Sequence, residues 1–360
     1  MTKSKARAAS FAATFTLLLL ATSCGQRVVE EKPIADFSVS VGSVERLDPA
    51  FNSIAPPSAK IQKIASGFEF TEGPIYMHDG YLLFSDVVGN AIYKWQPEGG
   101  ATVFKKPSGY DGKDAPKGSF IGSNGMTVDK SGRLVICEHG NHRIERLEAT
   151  GDYKTLVDNF EGKRLNSPND LIYKSDGALY FTDPPYGLPK GDDDPKKELK
   201  FNGVFRLGPD GKLTAIIKDL TRPNGIAFSP DEKFLYIANS DEKHKVWMRY
   251  DVQPDGTVAN GKVFFDVTAE KADGLPDGMK VDVNGNLYCA GPGGIWVFSP
   301  DGKHIGTIKP PETPANCHWG KDAETNAQAP IGNQEYATTL YITARTSLYR
   351  IPLGVVGVRP

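Results

Sequence analysis

The chain has 360 residues, 39% of them hydrophobic and 24% charged, and a formal net charge of −2. That balance excludes global disorder and implies no basic tract for nucleic acid. With 38 glycines, 26 prolines and 10% aromatic residues, the composition favours many turns between short strands over a helical bundle. Four cysteines in so long a chain are no disulfide framework.

Residues 1–23 read as a bacterial export signal of the lipoprotein type. Lys3, Lys5 and Arg7 precede an apolar run, FAATFTLLLLA, that is too short to span a membrane. The run ends in Ala21-Thr22-Ser23-Cys24, which resembles a lipobox with Cys24 as the lipidated residue. Gly25 follows, as in lipoproteins sent on to the outer membrane. The expected location is therefore the periplasmic side of a bacterial membrane, with plain cleavage to a soluble periplasmic protein as the alternative. Membrane contact is expected only through this anchor, and no feature points to a protein partner. Residues 24–58 read as a tether and irregular lead-in. Cys137 and Cys289 lie in apolar strand-like runs and are expected as buried thiols.

From residue 59 to 360 one unit recurs. The runs LLFSD, LVICE, LYFTD, LYIAN, LYCAG and LYITA begin at Leu82, Leu134, Leu179, Leu235, Leu287 and Leu340, spaced by 52, 45, 56, 52 and 53 residues. Each is preceded by another short apolar strand across an Asp/Asn/Gly-rich turn, and followed by one or two more. Four short strands per copy, six times, predict an all-β fold, a six-bladed β-propeller. The segment IQKIAS at 61–66 has no copy of its own and is expected to close the ring on the last blade. The run Asp192-Asp193-Asp194 reads as a solvated loop.

Ten or eleven residues before each landmark leucine the same slot returns: Glu72, Asn124, Asn169, Asn224 and Asp277. In the sixth copy the register is ambiguous between Asn316 and Cys317. Inner strands line a propeller's channel, so these slots predict a ring of oxygen donors on the axis. Two carboxylates and three amides without a paired Lys or Arg are costly to bury. A central metal site resolves the cost, and all-oxygen donors suit Ca²⁺ rather than zinc. The competing reading is that Asn-Gly and Asp-Gly merely make turns.

The ordered set FTEGPIY, SPNDLIYKSDGALYFTDPPYG, RPNGIAFSPD, LPDGMKVDVNGNLY and LYITARTSLYRI resembles the senescence marker protein (regucalcin)/gluconolactonase/luciferin-regenerating-enzyme-like family, over residues 60–355. The resemblance is greatest to bacterial gluconolactonases. It implies one Ca²⁺ held by Glu72, Asn169, Asn224 and Asp277, with Asn124 as a substrate contact. Paraoxonase-like lactonases and squid-type phosphotriesterases share that constellation. In the family's mammalian aldonolactonases an arginine stands two residues before the match to Asn169. Here it is Ser167, so their sugar-binding pattern does not transfer. The implied activity is a calcium-dependent hydrolase opening small lactones of the glucono-1,5-lactone type. Alternatives are a promiscuous ester or phosphotriester hydrolase on the same metal, or a calcium-stabilised binding propeller without chemistry. The resemblance makes Asp277 the general base, with His139 as a rival. Asn169 and His318 are further candidates for contact with substrate, and the loops at 105–123 and 183–203 are expected to shape the pocket.

Overall fold

The computed structural model describes residues 39–321 and 337–358. The export signal, Cys24 and the start of the tether lie outside the described residues. Within them, five strands that carry landmark runs are buried from end to end: Leu82–Asp86, Leu134–Glu138, Leu179–Asp183, Leu287–Gly291 and Thr339–Ala344. Such a strand needs cover on both faces, and neighbouring copies supply it.

Six antiparallel blades result, each built along the chain from an inner strand outward, with a separate two-stranded ribbon of Asn159–Phe160 and Lys163–Arg164. The inner strands are Thr71–Tyr76, Ser123–Val128, Leu171–Tyr173, Pro223–Phe228, Met279–Val281 and Pro314–Gly320. They touch one another in sequence, and the last returns to the first, closing a ring. This is the six-bladed propeller. Its core lies between blades. Val135, Leu171, Phe181 and Phe205 fill one interface. Ala227, Trp247, Cys289 and Phe298 fill another, with the Trp247 and Phe298 rings edge to face at 5.3 Å.

The ring closes as the unrepeated segment implied. Gln62–Ser66 pairs antiparallel with Ser347–Pro352, matching Gln62 to Arg350 and Ser66 to Ser347. Arg350 Nε donates to Gln62 Oε1 at 2.7 Å.

Three of the landmark runs end in Asp or Asn for a local reason. Asp86 accepts the N–H groups of Glu69 (3.0 Å) and Phe70 (2.9 Å). Asp183 accepts those of Asn166 (2.8 Å) and Ser167 (2.7 Å). Asn239 accepts that of Arg222 (2.9 Å). Each pins the loop that leads into its blade's inner strand, as an Asx cap does.

The lead-in differs from the irregular segment expected. Ser43–Arg46 adds a fifth strand to blade five, pairing with His304–Lys309. A single helical turn, Phe51–Ile54, then seats Phe51 among Tyr288, Ile308, Trp319 and Tyr349. Phe51 lies so close to Gly306 that a Cβ there would stand 2.3 Å from its ring. A lone strand and one turn carry no repeat, which is why periodicity misses them. Phe51→Ala is expected to destabilise the protein by about 3–5 kcal/mol, since it empties a filled interface. Denaturant unfolding reads this directly. A loss below about 1 kcal/mol would show that the lead-in is an independent appendage.

Cys137, Cys289 and Cys317 are buried free thiols. In the acidic run, Asp192 bonds Arg222 and accepts Asn202 Nδ2 at 2.9 Å, while Asp194 accepts the Lys196 N–H at 2.9 Å. These are ordinary loop contacts.

Candidate metal centre and active site

The slot residues sit where the inner strands begin, and local irregularity aims them. The pairing of inner and second strands slips between Glu72 and Ile75, between Ser123 and Met126, and between Pro223 and Ile226. An extra residue in one strand bends it and re-aims its side chain. The glycine after the slot permits close approach of the next blade. A Cβ at Gly73 would lie 1.9 Å from the Asn124 carbonyl oxygen, and one at Gly225 would lie 2.2 Å from that of Asp277. Gly73 also holds a φ of +50°, which favours glycine. Asn-Gly and Asp-Gly here make the ring, not merely turns.

Blade six settles its own register. Asn316 occupies the slot and donates from Nδ2 to Glu72 Oε2 at 3.0 Å across the ring seam. Its Oδ1 accepts the Cys317 N–H at 2.8 Å, so both ends of this amide are used by the protein.

The other amides are oriented by neighbours that take their nitrogens. Asn224 Nδ2 donates to Ser240 Oγ at 2.9 Å, and that hydroxyl donates onward to the Pro276 carbonyl. Asn169 Nδ2 lies 3.4 Å from His139 Nε2. His139 Nδ1 lies 3.2 Å from the Phe120 carbonyl oxygen, which can only accept. The ring proton therefore sits on Nδ1, and Nε2 accepts from Asn169. Nitrogen ends held this way leave Asn169 Oδ1 and Asn224 Oδ1 as the ends available to a cation. Asn124 Oδ1 is buried without a hydrogen-bond partner.

The carboxylates are under electrostatic stress. Glu72, almost fully buried, has its pKa pushed up to about 7, chiefly by burial. Asp277 is raised well above the usual range, by burial first and then by the charges of Glu72 and Asp170. Among the described residues, no Lys, Arg or His forms an ion pair with Glu72, Asp170 or Asp277. Nor do three His, Cys, Asp or Glu side chains converge there as a metal cluster. What converges is a mixed set of carboxylate and amide oxygens with uncompensated charge and an orphaned acceptor. That donor set fits a hard divalent cation.

Accessibility separates the two slot carboxylates. Asp277 lines an open cleft of about 570 Å³ with Phe70, Thr313 and Arg345. Glu72 does not reach it. At the mouth, Phe70 and Phe120 meet edge to face at 4.9 Å. The two loops expected to shape the pocket do meet: residues 116–120 and 186–189 line a cleft of about 290 Å³. The first is anchored by Asn90 Oδ1, which accepts the N–H groups of Ser108, Gly109 and Tyr110 at 3.0, 2.9 and 3.2 Å.

Two histidines are placed differently from the roles considered for them. His139 is fully buried, and burial lowers its pKa to about 4. It holds the Asn169 amide in place, which is a positioning role. His318 accompanies Lys280, Ile226 and Phe228 around a cavity of about 350 Å³ formed by the far ends of the inner strands. It is thus not brought to the cleft that holds Asp277.

Three residues near the ring were missed. Asp170 stands where four of the other copies have glycine, and burial raises its pKa while Lys280 opposes the shift. The departure of PND from the SNG, PNG and PDG pattern is the signal that marks it. Lys280, three residues past Asp277, also lowers the pKa of Glu72. Tyr186, on the turn after LYFTD, places its hydroxyl near Asn224, Ser240 and Asp277. No repeat announces it.

A closed ring of six inner strands with carboxylate and amide side chains in equivalent slots defines the class: a six-bladed β-propeller. The chain belongs to the SMP-30/gluconolactonase/LRE-like family, whose model matches residues 70–326. It is 41% identical over 297 residues to a gluconolactonase of Zymomonas mobilis, covering 79% of this chain and 83% of that one. Among solved structures, a gluconolactonase of Xanthomonas campestris superposes with a TM-score of 0.73 at 32% identity, covering 89% of this chain and 98% of that one. A regucalcin of Agrobacterium tumefaciens, described as a calcium-binding protein, shares the fold with a TM-score of 0.62 at 19% identity, covering 81% and 93%.

Proposed function

We propose that the chain is a calcium-dependent lactonase that opens sugar lactones of the glucono-1,5-lactone type. The observation that carries this reading is the asymmetric ring: oriented amide oxygens and a buried Glu72 on one side, and Asp277 facing the cleft on the other. The relation to gluconolactonases supports the substrate class.

Glu72, Asn169, Asn224 and Asp277 would hold the cation. When bound, it supplies a Lewis acid that polarises the lactone carbonyl and offsets the developing negative charge. The protein does the rest. The His139 and Ser240 contacts keep the amide oxygens turned toward the axis. Asp277 accepts a proton from the attacking water as the water oxygen bonds to the acyl carbon. The acyl–oxygen bond of the ring then breaks, and the ring oxygen takes up that proton. The products are one hydroxy acid and a regenerated carboxylate.

The test is glucono-1,5-lactone hydrolysis followed by acid release. Excess chelator is expected to abolish the activity and lower Tm, because a ligand held only by the native state stabilises it by mass action. Added calcium restores both. Unchanged hydrolysis after verified metal removal would refute the metal's role.

A further inference from the structure

The turn after the second strand of blade three is built with unusual care. Ser167 Oγ donates to the Pro184 carbonyl at 2.9 Å and accepts the Gly187 N–H at 2.8 Å. One hydroxyl therefore pins both ends of the segment Pro184-Pro185-Tyr186-Gly187. Asp183 in turn holds the backbone at Asn166 and Ser167. Gly187 backs onto His139, where a Cβ would stand 2.8 Å from the His139 carbonyl oxygen. Two prolines restrict the segment further. The turn is rigid and shares its anchors with the ring itself.

This rigidity presents Tyr186. Its ring borders the cleft shared with residues 116–120. Its hydroxyl is buried near Asn224, Ser240 and Asp277 but closes no hydrogen bond of standard geometry. Ser240 Oγ gives its proton to the Pro276 carbonyl and already accepts from Asn224, so it donates nothing to the phenol. A buried phenol without a partner costs free energy unless something completes it. Besides Ser240, the polar groups near the phenol oxygen include the Asn224 amide and the Asp277 carboxylate, two of the residues that would hold the cation.

We propose that Tyr186 is a catalytic residue whose hydroxyl donates a hydrogen bond to the carbonyl oxygen of the bound lactone as that oxygen gains charge. The proposal rests on the lactonase reading above. The phenol keeps its proton throughout: water's oxygen bonds to the acyl carbon, the ring acyl–oxygen bond breaks, and the only proton transferred passes through Asp277. Ser167, standing where some relatives carry a sugar-binding arginine, serves to shape this turn.

Tyr186→Phe removes the donor and keeps the ring. Loss of one such donor typically costs about 10²-fold in kcat. The expected result is a kcat lower by about 10²-fold with KM, calcium affinity and Tm close to wild type. A wild-type kcat in Tyr186→Phe overturns the proposal. The same contact is read without turnover by titrating gluconate into the calcium-loaded protein, because a product carboxylate oxygen takes the place of the carbonyl oxygen. Tyr186→Phe is expected to bind gluconate about tenfold more weakly, and equal affinity overturns the proposal. A wild-type protein that opens no lactone is a failure of the lactonase reading, visible without any variant, and the gluconate titration still decides the role of Tyr186.

Discussion

At saturating calcium, Glu72→Gln should recover much of its rate and Asp277→Asn should not. Both changes keep an oxygen donor and remove one negative charge, so both should weaken calcium binding. Their surroundings separate what happens next. Glu72 is shut away from the cleft and already spends Oε2 on Gly73 N–H (2.5 Å) and Asn316 Nδ2 (3.0 Å). It can only ligate. Asp277 borders the cleft, where water and substrate arrive. An amide at 277 cannot take a proton from water, and loss of a general base typically costs about 10²–10⁴-fold. Rates measured across a calcium titration resolve the two effects. If Asp277→Asn recovers with calcium as fully as Glu72→Gln, Asp277 is a ligand alone and the base lies elsewhere.

The sequence made the ring legible because its residues repeat. Glu72, Asn124, Asn169, Asn224 and Asp277 recur in register with a landmark strand, and register in a propeller becomes position around the axis. The sixth slot was ambiguous, and only the bond from Asn316 to Glu72 across the seam resolves it. What the repeat does not encode was harder to see. Tyr186 lies on the turn after LYFTD, in the loop at 183–203, which the repeat does not encode. Asp170 replaces a glycine and is visible only as a break in the pattern. Phe51 belongs to a lead-in with no counterpart, yet it fills a core between blades five and six. His318 follows the sixth slot by two residues and looked like a pore residue, but the inner strand carries it to the cavity at the far end. Motif spacing locates residues along a strand; it does not tell which end of the channel they serve.

His139→Phe should weaken calcium binding about 10–100-fold, the usual cost of removing a group that orients a ligand. The argument runs through hydrogen-bond polarity. The Phe120 carbonyl accepts the Nδ1 hydrogen bond, so Nε2 accepts from Asn169 and leaves that amide's oxygen as the end that would meet the proposed cation. Phenylalanine fills the space but accepts nothing, and Asn169 then has no reason to hold one face. At saturating calcium the rate should return, because the base is untouched. His139→Gln keeps an acceptor and should retain most of the affinity. The pH profile adds an independent check. With its pKa lowered to about 4, His139 is neutral from pH 5.5 upward, so its titration contributes no limb near 6.5. Wild type and His139→Phe at saturating calcium should therefore share one profile above pH 5.5. A rate that stays lost at saturating calcium, together with disappearance of a limb near neutral pH, would instead make His139 the base.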